Sequence, residues 1–262
     1  DLDAVWLMLG QLNEDRKNYD EALRWYGGVT SGERYMTAQS RYAMVLYKQG
    51  RLDAARKHLQ GIDARNDAQR LQLAQAEANL LREAQDYKGA YDLLDKTLQG
   101  APDSVDLLYD QAMVAEKMDR IDVLEKNLRR VIELQPEHAH AHNALGYTLA
   151  DRNQRLPEAR KLIERALQLT PDDGYIIDSL GWVLYRMGNL REAITHLRRA
   201  YELRPEAEVG AHLGEVLWMD GKREEARKIW RDMLKEGPSN DTLLGTLKRL
   251  DPSLLPPVNT AK

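Results

Sequence analysis

The chain has 262 residues and a formal net charge of -4, and the charged residues, 31% of the total, mix both signs. This balance argues against the basic stripe of a nucleic-acid-binding surface and the polybasic patch of a membrane-surface protein. Because there is no cysteine, a disulfide framework and a thiolate metal site are excluded, while oxidising and reducing compartments both stay open.

Small side chains recur along the whole chain at a period of roughly 34 residues, the length of the tetratricopeptide repeat. The two helices of this helix–turn–helix unit cross where a bulky side chain would force them apart. The sequence therefore predicts an all-α solenoid, a superhelix of about seven repeats. The small residues are Gly10, Ala43, Ala78, Ala112, Gly146, Gly181 and Gly214 in the first helices, and Ala22, Ala55, Ala90, Ala159, Ala193 and Ala226 in the second, where Leu124 is the exception.

The stretch 178–205 matches the repeat pattern most fully. Agreement at many positions in register, with apolar residues between them at a helical period, is more than a chance alignment produces. The matching residues are Leu180, Gly181, Leu184, Gly188, Ala193, Leu197, Ala200 and Pro205.

Glycines and prolines mark the expected ends of the helices. Gly50, Gly188 and Gly221 stand where a left-handed residue ends a first helix, and prolines such as Pro171 and Pro238 follow second helices. These signals divide residues 3–238 into seven tandem repeats, at approximately 3–35, 36–70, 71–104, 105–138, 139–173, 174–206 and 207–238. Residues 239–251 are predicted to form a capping helix, and residues 252–262 a flexible tail.

The chain starts abruptly with the apolar residues Trp6, Leu7 and Leu9 and with no comparable capping helix. An exposed apolar end of a repeat array can pair with a second copy, so a homo-oligomer formed through this end is one expectation. Since residue 1 is Asp, we also expect the chain to be a fragment or mature portion of a longer protein.

Chemistry-bearing motifs are sparse. His138, His140 and His142 lie together, and His138 and His142 share a helix face that could bind a divalent metal, but no further ligand is evident. We therefore predict no metal site, with His138 and His142 as weak candidates. No phosphate-binding glycine loop, nucleophile motif or HExxH is present, so we predict a non-catalytic protein without a cofactor.

The first helices of repeats five to seven carry a row of aromatic and polar side chains that we expect to face the concave surface. Aromatic residues and arginine among adaptable polar groups are typical of peptide-binding surfaces. We predict that they form a partner-binding groove with Trp182, Tyr185, Arg186 and Trp218 as anchors, the alternative being that Tyr147 and Trp182 only pack between neighbouring helices. The predicted groove residues are Asn143, Tyr147, Asp178, Trp182, Tyr185, Arg186, Glu215 and Trp218.

Repeats five to seven contain the motifs NALGY, DRNQRLPEA, DSLGWVLYR and AHLGEVLW. In these motifs the chain resembles a proteobacterial family of tetratricopeptide lipoproteins, over about a third of its length. The resemblance implies a periplasmic adaptor, anchored to the outer membrane through a lipidated segment upstream of Asp1, that binds and activates a carboxyl-terminal processing protease. A cytoplasmic location stays open.

Two alternatives to an adaptor remain at the level of sequence. The chain could be the recruiting region of a larger enzyme, whose catalytic domain would lie in another part of the open reading frame. It could also be a structural scaffold that associates with itself through the N-terminal end. All three functions use the same repeat architecture, because a repeat array offers extended surfaces rather than a single enclosed site.

Overall fold

The computed structural model describes residues 2–256, which form fifteen α-helices, one 3-10 helix and no strand. The predicted all-α repeat fold is confirmed. The helices are α1 (Leu2–Asp15), α2 (Tyr19–Gly28), α3 (Tyr35–Lys48), α4 (Leu52–Gln60), α5 (Asp67–Glu83), α6 (Tyr87–Gly100), α7 (Val105–Lys117), α8 (Ile121–Leu134), α9 (Ala139–Asp151), α10 (Leu156–Leu169), α11 (Gly174–Arg186), α12 (Leu190–Leu203), α13 (Ala207–Met219), α14 (Arg223–Glu236) and α15 (Asp241–Leu250), followed by the 3-10 helix Pro252–Leu254.

The chain divides into two compact units, residues 1–134 and 135–262. In the first unit α1 to α8 form four successive hairpins. Neighbouring hairpins contact each other, because α2 packs against α3, α4 against α5 and α6 against α7. In the second unit α9 to α14 form three hairpins packed in the same manner, and α15 covers α13. Each hairpin thus buries an apolar face that it could not cover alone.

Within each hairpin the two helices meet closely at the small residues. Ala159 and Ala193 are fully buried, and their partners on the first helices are glycines. A Cβ atom added to Gly181 would lie 2.5 Å from Leu197 Cγ, and one added to Gly146 would lie 2.8 Å from the Ala159 carbonyl oxygen. Both distances are far below van der Waals contact, so the small side chains are required by the crossing itself.

The turn inside a hairpin requires one residue in the left-handed backbone region. Gly188 supplies it in the sixth repeat with a φ of 88°. Gln85 and Asp119 take the same conformation in the third and fourth repeats, with φ values of 60° and 56°, although a side chain there costs roughly 1–2 kcal/mol. The third and fourth repeats therefore have the same left-handed turn as the sixth, although they lack the glycine.

The end of the second unit is held by two ordered contacts. Asn240 Oδ1 accepts a hydrogen bond from the Leu243 N–H at 2.9 Å and so caps α15. After α15, the buried Asp251 accepts a hydrogen bond from Arg227 Nε at 2.7 Å. Of the segment 252–262 that was expected to be a flexible tail, residues 252–254 form the 3-10 helix, and residues 257–262 lie outside the described part of the chain.

Within residues 2–256, no helix combines the length and the apolar composition needed to cross a lipid bilayer.

Candidate functional site

In the second unit, the eight predicted groove residues lie on α9, α11 and α13, the first helices of the last three repeats. These helices pack in sequence, α9 against α11 and α11 against α13, while α15 packs against α13. Residues at corresponding positions of successive first helices therefore come within contact of each other. The site is built from such contacts across repeats.

A buried histidine lies at the centre of this site. His212 Nδ1 is 2.7 Å from Asp178 Oδ2, and both side chains are less than a tenth exposed. On its other side, His212 Nε2 is 3.3 Å from the Tyr147 hydroxyl. The Trp182 ring stacks on the imidazole at 4.3 Å between centroids, and its Nε1 donates a hydrogen bond to Asp151 Oδ1 at 3.3 Å. We call these five residues the histidine cluster.

The carboxylates around His212 determine its protonation. Burial alone disfavours the imidazolium form and lowers the pKa of His212. The negative charge of Asp178 and its hydrogen bond act in the opposite direction, with smaller contributions from Glu208 and Asp151, and the net result is a raised pKa. The His212–Asp178 pair is thus shielded from solvent, and the carboxylate of Asp178 favours the protonated form of the imidazole.

A second pair joins the capping helix to the repeats. Arg249 Nη1 and Nη2, on α15, donate to the two oxygens of Glu215 at 3.1 and 2.6 Å. The Tyr185 hydroxyl donates to the same carboxylate at 3.1 Å, and burial together with Glu215 raises the pKa of Tyr185 to about 12. A bidentate arginine of this kind fixes both the position and the orientation of the carboxylate.

Burial separates the predicted groove residues into two groups. Asp178, Trp182 and Glu215 are 5%, 5% and 2% exposed, so in this conformation they form an interior network and not a free surface. Trp182 is one of the predicted anchors, with packing between neighbouring helices as the alternative. In the structure its ring lies against the His212 ring, which covers one of its faces. The partly exposed residues are Asn143, Tyr147, Tyr185, Arg186 and Trp218.

The partly exposed residues differ in their surroundings. The Arg186 guanidinium lies 6.0 Å from the centroid of the Trp182 ring. Trp218 contacts α14 instead: its ring centroid is 5.5 Å from that of Trp230, and the guanidinium carbons of Arg223 and Arg227 lie 5.0 and 5.3 Å from its centroid. Aromatic rings and guanidinium groups held in this manner lose little rotamer freedom when a partner binds.

The three histidines at positions 138, 140 and 142 make separate contacts and do not point to a common ligand site. His138 caps α9, since its Nδ1 accepts a hydrogen bond from the Ala141 N–H at 3.0 Å. His142 Nε2 is 2.9 Å from the Pro136 carbonyl oxygen, and His140 is exposed. Among residues 2–256, no group of three or more histidine and carboxylate side chains is arranged to hold a metal ion.

Sequence reasoning missed His212 and Arg249, although a signal for both exists. Asp178 and His212 are 34 residues apart, and so are Glu215 and Arg249. This separation equals one repeat, so the two members of each pair occupy matching places on successive first helices or on the capping helix. A search for oppositely charged residues one repeat apart, and not only for residues on one helix face, would have found both pairs.

The first unit contains a cavity of about 470 Å³ on its first helices that the sequence did not single out. It lies within the roughly 300–1,000 Å³ range of pockets that bind ligands. We call it the first-unit cavity. Its lining residues are Met36, Thr37, Ser40, Arg41, Met44, Gln72, Gln75, Ala76, Ala78, Asn79, Arg82, Leu94, Asp110 and Val114.

Models of the tetratricopeptide repeat family match three parts of the chain, residues 36–60, 137–206 and 179–241. The chain is a tetratricopeptide repeat protein. The matched segments include α9 to α14, the helices on which the histidine cluster and the partly exposed groove residues lie.

This tetratricopeptide repeat protein is similar to a TPR repeat-containing protein of Pseudomonas aeruginosa, with 42% identity over 249 residues, which cover 95% of the chain and 42% of that relative. The chain therefore spans less than half of the relative's length. Among solved structures it is similar to a tetratricopeptide repeat protein of Parabacteroides merdae, with 13% identity, a TM-score of 0.69, and coverage of 94% of this chain and 98% of that one.

A second similar structure is a thermophilic TPR protein of Thermus thermophilus. It has 20% identity and a TM-score of 0.61, with 71% of this chain and 99% of that chain covered. At such low identity the two structural likenesses establish the tetratricopeptide fold alone. They carry no information on which partner the chain binds.

Proposed function

We propose that the chain is a non-catalytic protein-binding scaffold that uses the second unit to hold a segment of a partner protein. The single observation that carries the proposal is the set of partly exposed aromatic and basic side chains supported by a buried hydrogen-bond network. Tyr147 and Tyr185 are each fixed by hydrogen bonds to buried groups. Arg186 and Trp218 add cationic and aromatic area, the kind that dominates binding energy at interfaces.

The buried network supports this role because it positions the exposed groups before a partner arrives. Glu215 is held by the bidentate Arg249, and Tyr185 is bound to the same carboxylate. A side chain that is already ordered loses less conformational entropy on binding than a mobile one. The second unit therefore presents a rigid surface, which is the property an adaptor needs.

We further propose that the partner is a carboxyl-terminal processing protease and that the chain acts as its periplasmic adaptor, anchored to the outer membrane by a lipidated segment. Support comes from the motifs of repeats five to seven, in which the chain resembles the proteobacterial lipoprotein family. The tetratricopeptide repeat is in general a scaffold, and the matched families indicate no enzyme. The adaptor role thus accounts for the motifs without requiring a catalytic group.

The binding surface is tested with the double variant Arg186→Ala, Trp218→Ala. We expect its affinity for a purified carboxyl-terminal processing protease of the source organism to fall by about 30-fold or more, because two such anchors together contribute at least roughly 2 kcal/mol. Biolayer interferometry with the immobilised protease measures the change. Both residues are partly exposed, so the variant is expected to keep its helical circular dichroism spectrum.

Arg165→Ala is the matched control, since Arg165 is exposed on α10 and lies outside the surface. It is expected to bind as the parent does. Binding of the parent with equal binding of the double variant would contradict the proposed surface and leave the adaptor role standing. A parent chain that does not bind the protease would contradict the adaptor role itself.

Self-association is a second candidate function, favoured by one face of α1 in the first unit. Leu2, Val5, Met8 and Leu12 lie at helical spacing and are 60%, 49%, 70% and 43% exposed. We expect the parent to dimerise with rising concentration and the variant Val5→Glu, Met8→Glu to stay monomeric, because a charge opposes burial of the face. Sedimentation velocity over a concentration series measures this, and a monomeric parent at all concentrations contradicts it.

A further inference from the structure

We propose that the first-unit cavity is a second binding site, which takes an extended protein segment carrying a carboxylate beside an apolar side chain. This inference rests on the protein-binding function proposed above and adds a site outside the surface in the second unit. The cavity is lined mainly by the first helices α3, α5 and α7. Its occupant can be inferred from the chemistry of these walls.

The floor of the cavity is apolar. Met36, Leu94 and Val114 are 7%, 0% and 1% exposed, and the partly exposed Met44 and Ala76 extend this apolar area toward solvent. Methionine has an unbranched, polarizable side chain that adapts to the shape of a bound group. The floor therefore suits an apolar side chain such as leucine, isoleucine or methionine.

Uncharged polar groups line the walls above the floor. Gln75 Nε2 donates to Asp110 Oδ2 at 2.7 Å, and Arg82 Nη2 donates to Asn79 Oδ1 at 2.6 Å. These bonds orient the two amides, so that the Gln75 carbonyl and the Asn79 NH2 group remain to pair with a ligand. An acceptor and a donor of this kind match the N–H and C=O groups of an extended backbone.

Positive charge exceeds negative charge in the cavity. Arg41 and Arg82 have side chains that are 45% and 37% exposed. The one carboxylate in the lining is Asp110, and burial raises its pKa, against the opposing effects of Gln75 and Arg82. Two guanidinium groups thus face one carboxylate, so the charges of the lining sum to a net positive value.

Both arginines keep N–H donors beyond those used in their protein contacts. Arg82 Nη2 donates to Asn79 Oδ1 and lies 3.8 Å from Glu83 Oε1, which is beyond the length of a hydrogen bond. Arg41 Nη1 is 3.6 Å from Glu14 Oε1, which is beyond the length of a hydrogen bond, and Glu14 itself accepts at 2.7 Å from both Lys48 and Tyr26. A guanidinium has five N–H donors and pairs with carboxylates in a bidentate manner. The complement of this cavity is therefore an anionic group next to an apolar one, on a peptide backbone.

An array of immobilised peptides tests the inference with the full chain as the fluorescent probe. Each peptide has Gly-Ser flanks and a different pair of neighbouring residues at its centre, so that every pairing of the amino acids is sampled. We expect the strongest binding to pairs of Asp or Glu with Leu, Ile or Met. Replacing the acid by its amide is expected to weaken binding about tenfold or more in fluorescence anisotropy, because charge-assisted hydrogen bonds are lost.

Variants assign the preference to the cavity. The double variant Arg41→Gln, Arg82→Gln should lose the preference for the acidic residue. The single variant Met44→Gln should lose the preference for the apolar neighbour. The double variant Arg41→Lys, Arg82→Lys should keep part of the preference for the acidic residue. Arg70→Gln is the matched control, because Arg70 lies on α5 but is exposed and paired with Asp67. Circular dichroism establishes that each variant is folded.

The inference is overturned if the parent shows no preference for acidic–apolar pairs, or if the preference survives in Arg41→Gln, Arg82→Gln. The second-unit variant Arg186→Ala, Trp218→Ala is expected to keep the peptide preference, since its substitutions lie outside the first unit. Failure of this site and failure of the surface in the second unit are thus separate outcomes.

Discussion

Replacing Gly214 by alanine is expected to destabilise the second unit by about 3 kcal/mol, the upper part of the range for overpacked cores. A Cβ atom at this position would lie 2.1 Å from Trp230 Nε1 and 2.6 Å from Trp230 Cε2. The indole has little room to move, because Trp230 is fully buried and protein interiors are close-packed. Urea unfolding followed by tryptophan fluorescence measures the change in the free energy of unfolding.

Gly245→Ala is the matched control within the same unit. Gly245 lies in α15, and a Cβ atom there would have no neighbour within 4 Å. Because alanine is a better helix former than glycine, this variant is expected to be more stable than the parent by roughly 0.5–1 kcal/mol. Effects of the same sign and size at the two glycines would refute the close crossing of α13 and α14.

A double-mutant cycle separates the overpacking from other effects of the substitution. Trp230→Ala alone creates a cavity and costs about 3–5 kcal/mol. In the double variant with Gly214→Ala, the ring that the new methyl group would meet is absent. The loss of unfolding free energy in the double variant is therefore expected to be clearly smaller than the sum of the losses in the two single variants. Full additivity would show that the contact between these two positions does not limit the packing of the hairpin.

The repeat fold was predictable because its signals lie within one period of the sequence. Gly181 and Ala193 mark a helix crossing that depends only on the two helices of their own hairpin. The same reasoning located the row of groove residues, since the face of a helix follows from position alone. It did not predict their burial, because what covers a residue comes from the neighbouring repeat.

Two residues illustrate this limit. Trp182 is covered by His212 and Glu215 is covered by Arg249, and both covering residues follow the residue they cover by 30 or more positions in the chain. A helix-by-helix interpretation treats Trp182 and Glu215 as exposed, since nothing in their own repeat covers them. The first-unit cavity was missed for a related reason: its character depends on how far apart the first helices stand, and side-chain identity alone does not determine this distance.

The buried pair of His212 and Asp178 predicts a characteristic dependence of stability on pH. The pKa of His212 is raised above its ordinary value of 6.5 in the folded chain. Below pH 6.5 the histidine is protonated in both the folded and the unfolded state, so the pair contributes its full stability. As pH rises toward the folded pKa, the unfolded chain releases the proton first, and stability falls with a slope of up to about 1.4 kcal/mol per pH unit.

Asp178→Asn is expected to reverse the sign of this dependence. Without the carboxylate, burial becomes the dominant influence and lowers the pKa of His212, so that stability rises with pH up to the unfolded pKa. The variant should also be less stable than the parent by roughly 3 kcal/mol at about pH 6, since one member of a buried ion pair has been removed. Urea unfolding between about pH 5 and 8 measures both effects.

Other groups titrate in the same pH range and contribute equally to the stability of the parent and of Asp178→Asn. The difference between the two pH profiles therefore isolates the contribution of the His212–Asp178 pair. His140→Gln serves as the control, since His140 is exposed on α9 and its replacement should leave the pH profile of the parent unchanged. A parallel profile for the parent and Asp178→Asn would mean that His212 is neutral in the folded chain. The stacking of Trp182 on His212 would then be a contact between neutral rings, and the second unit would have no proton-linked contribution from this pair.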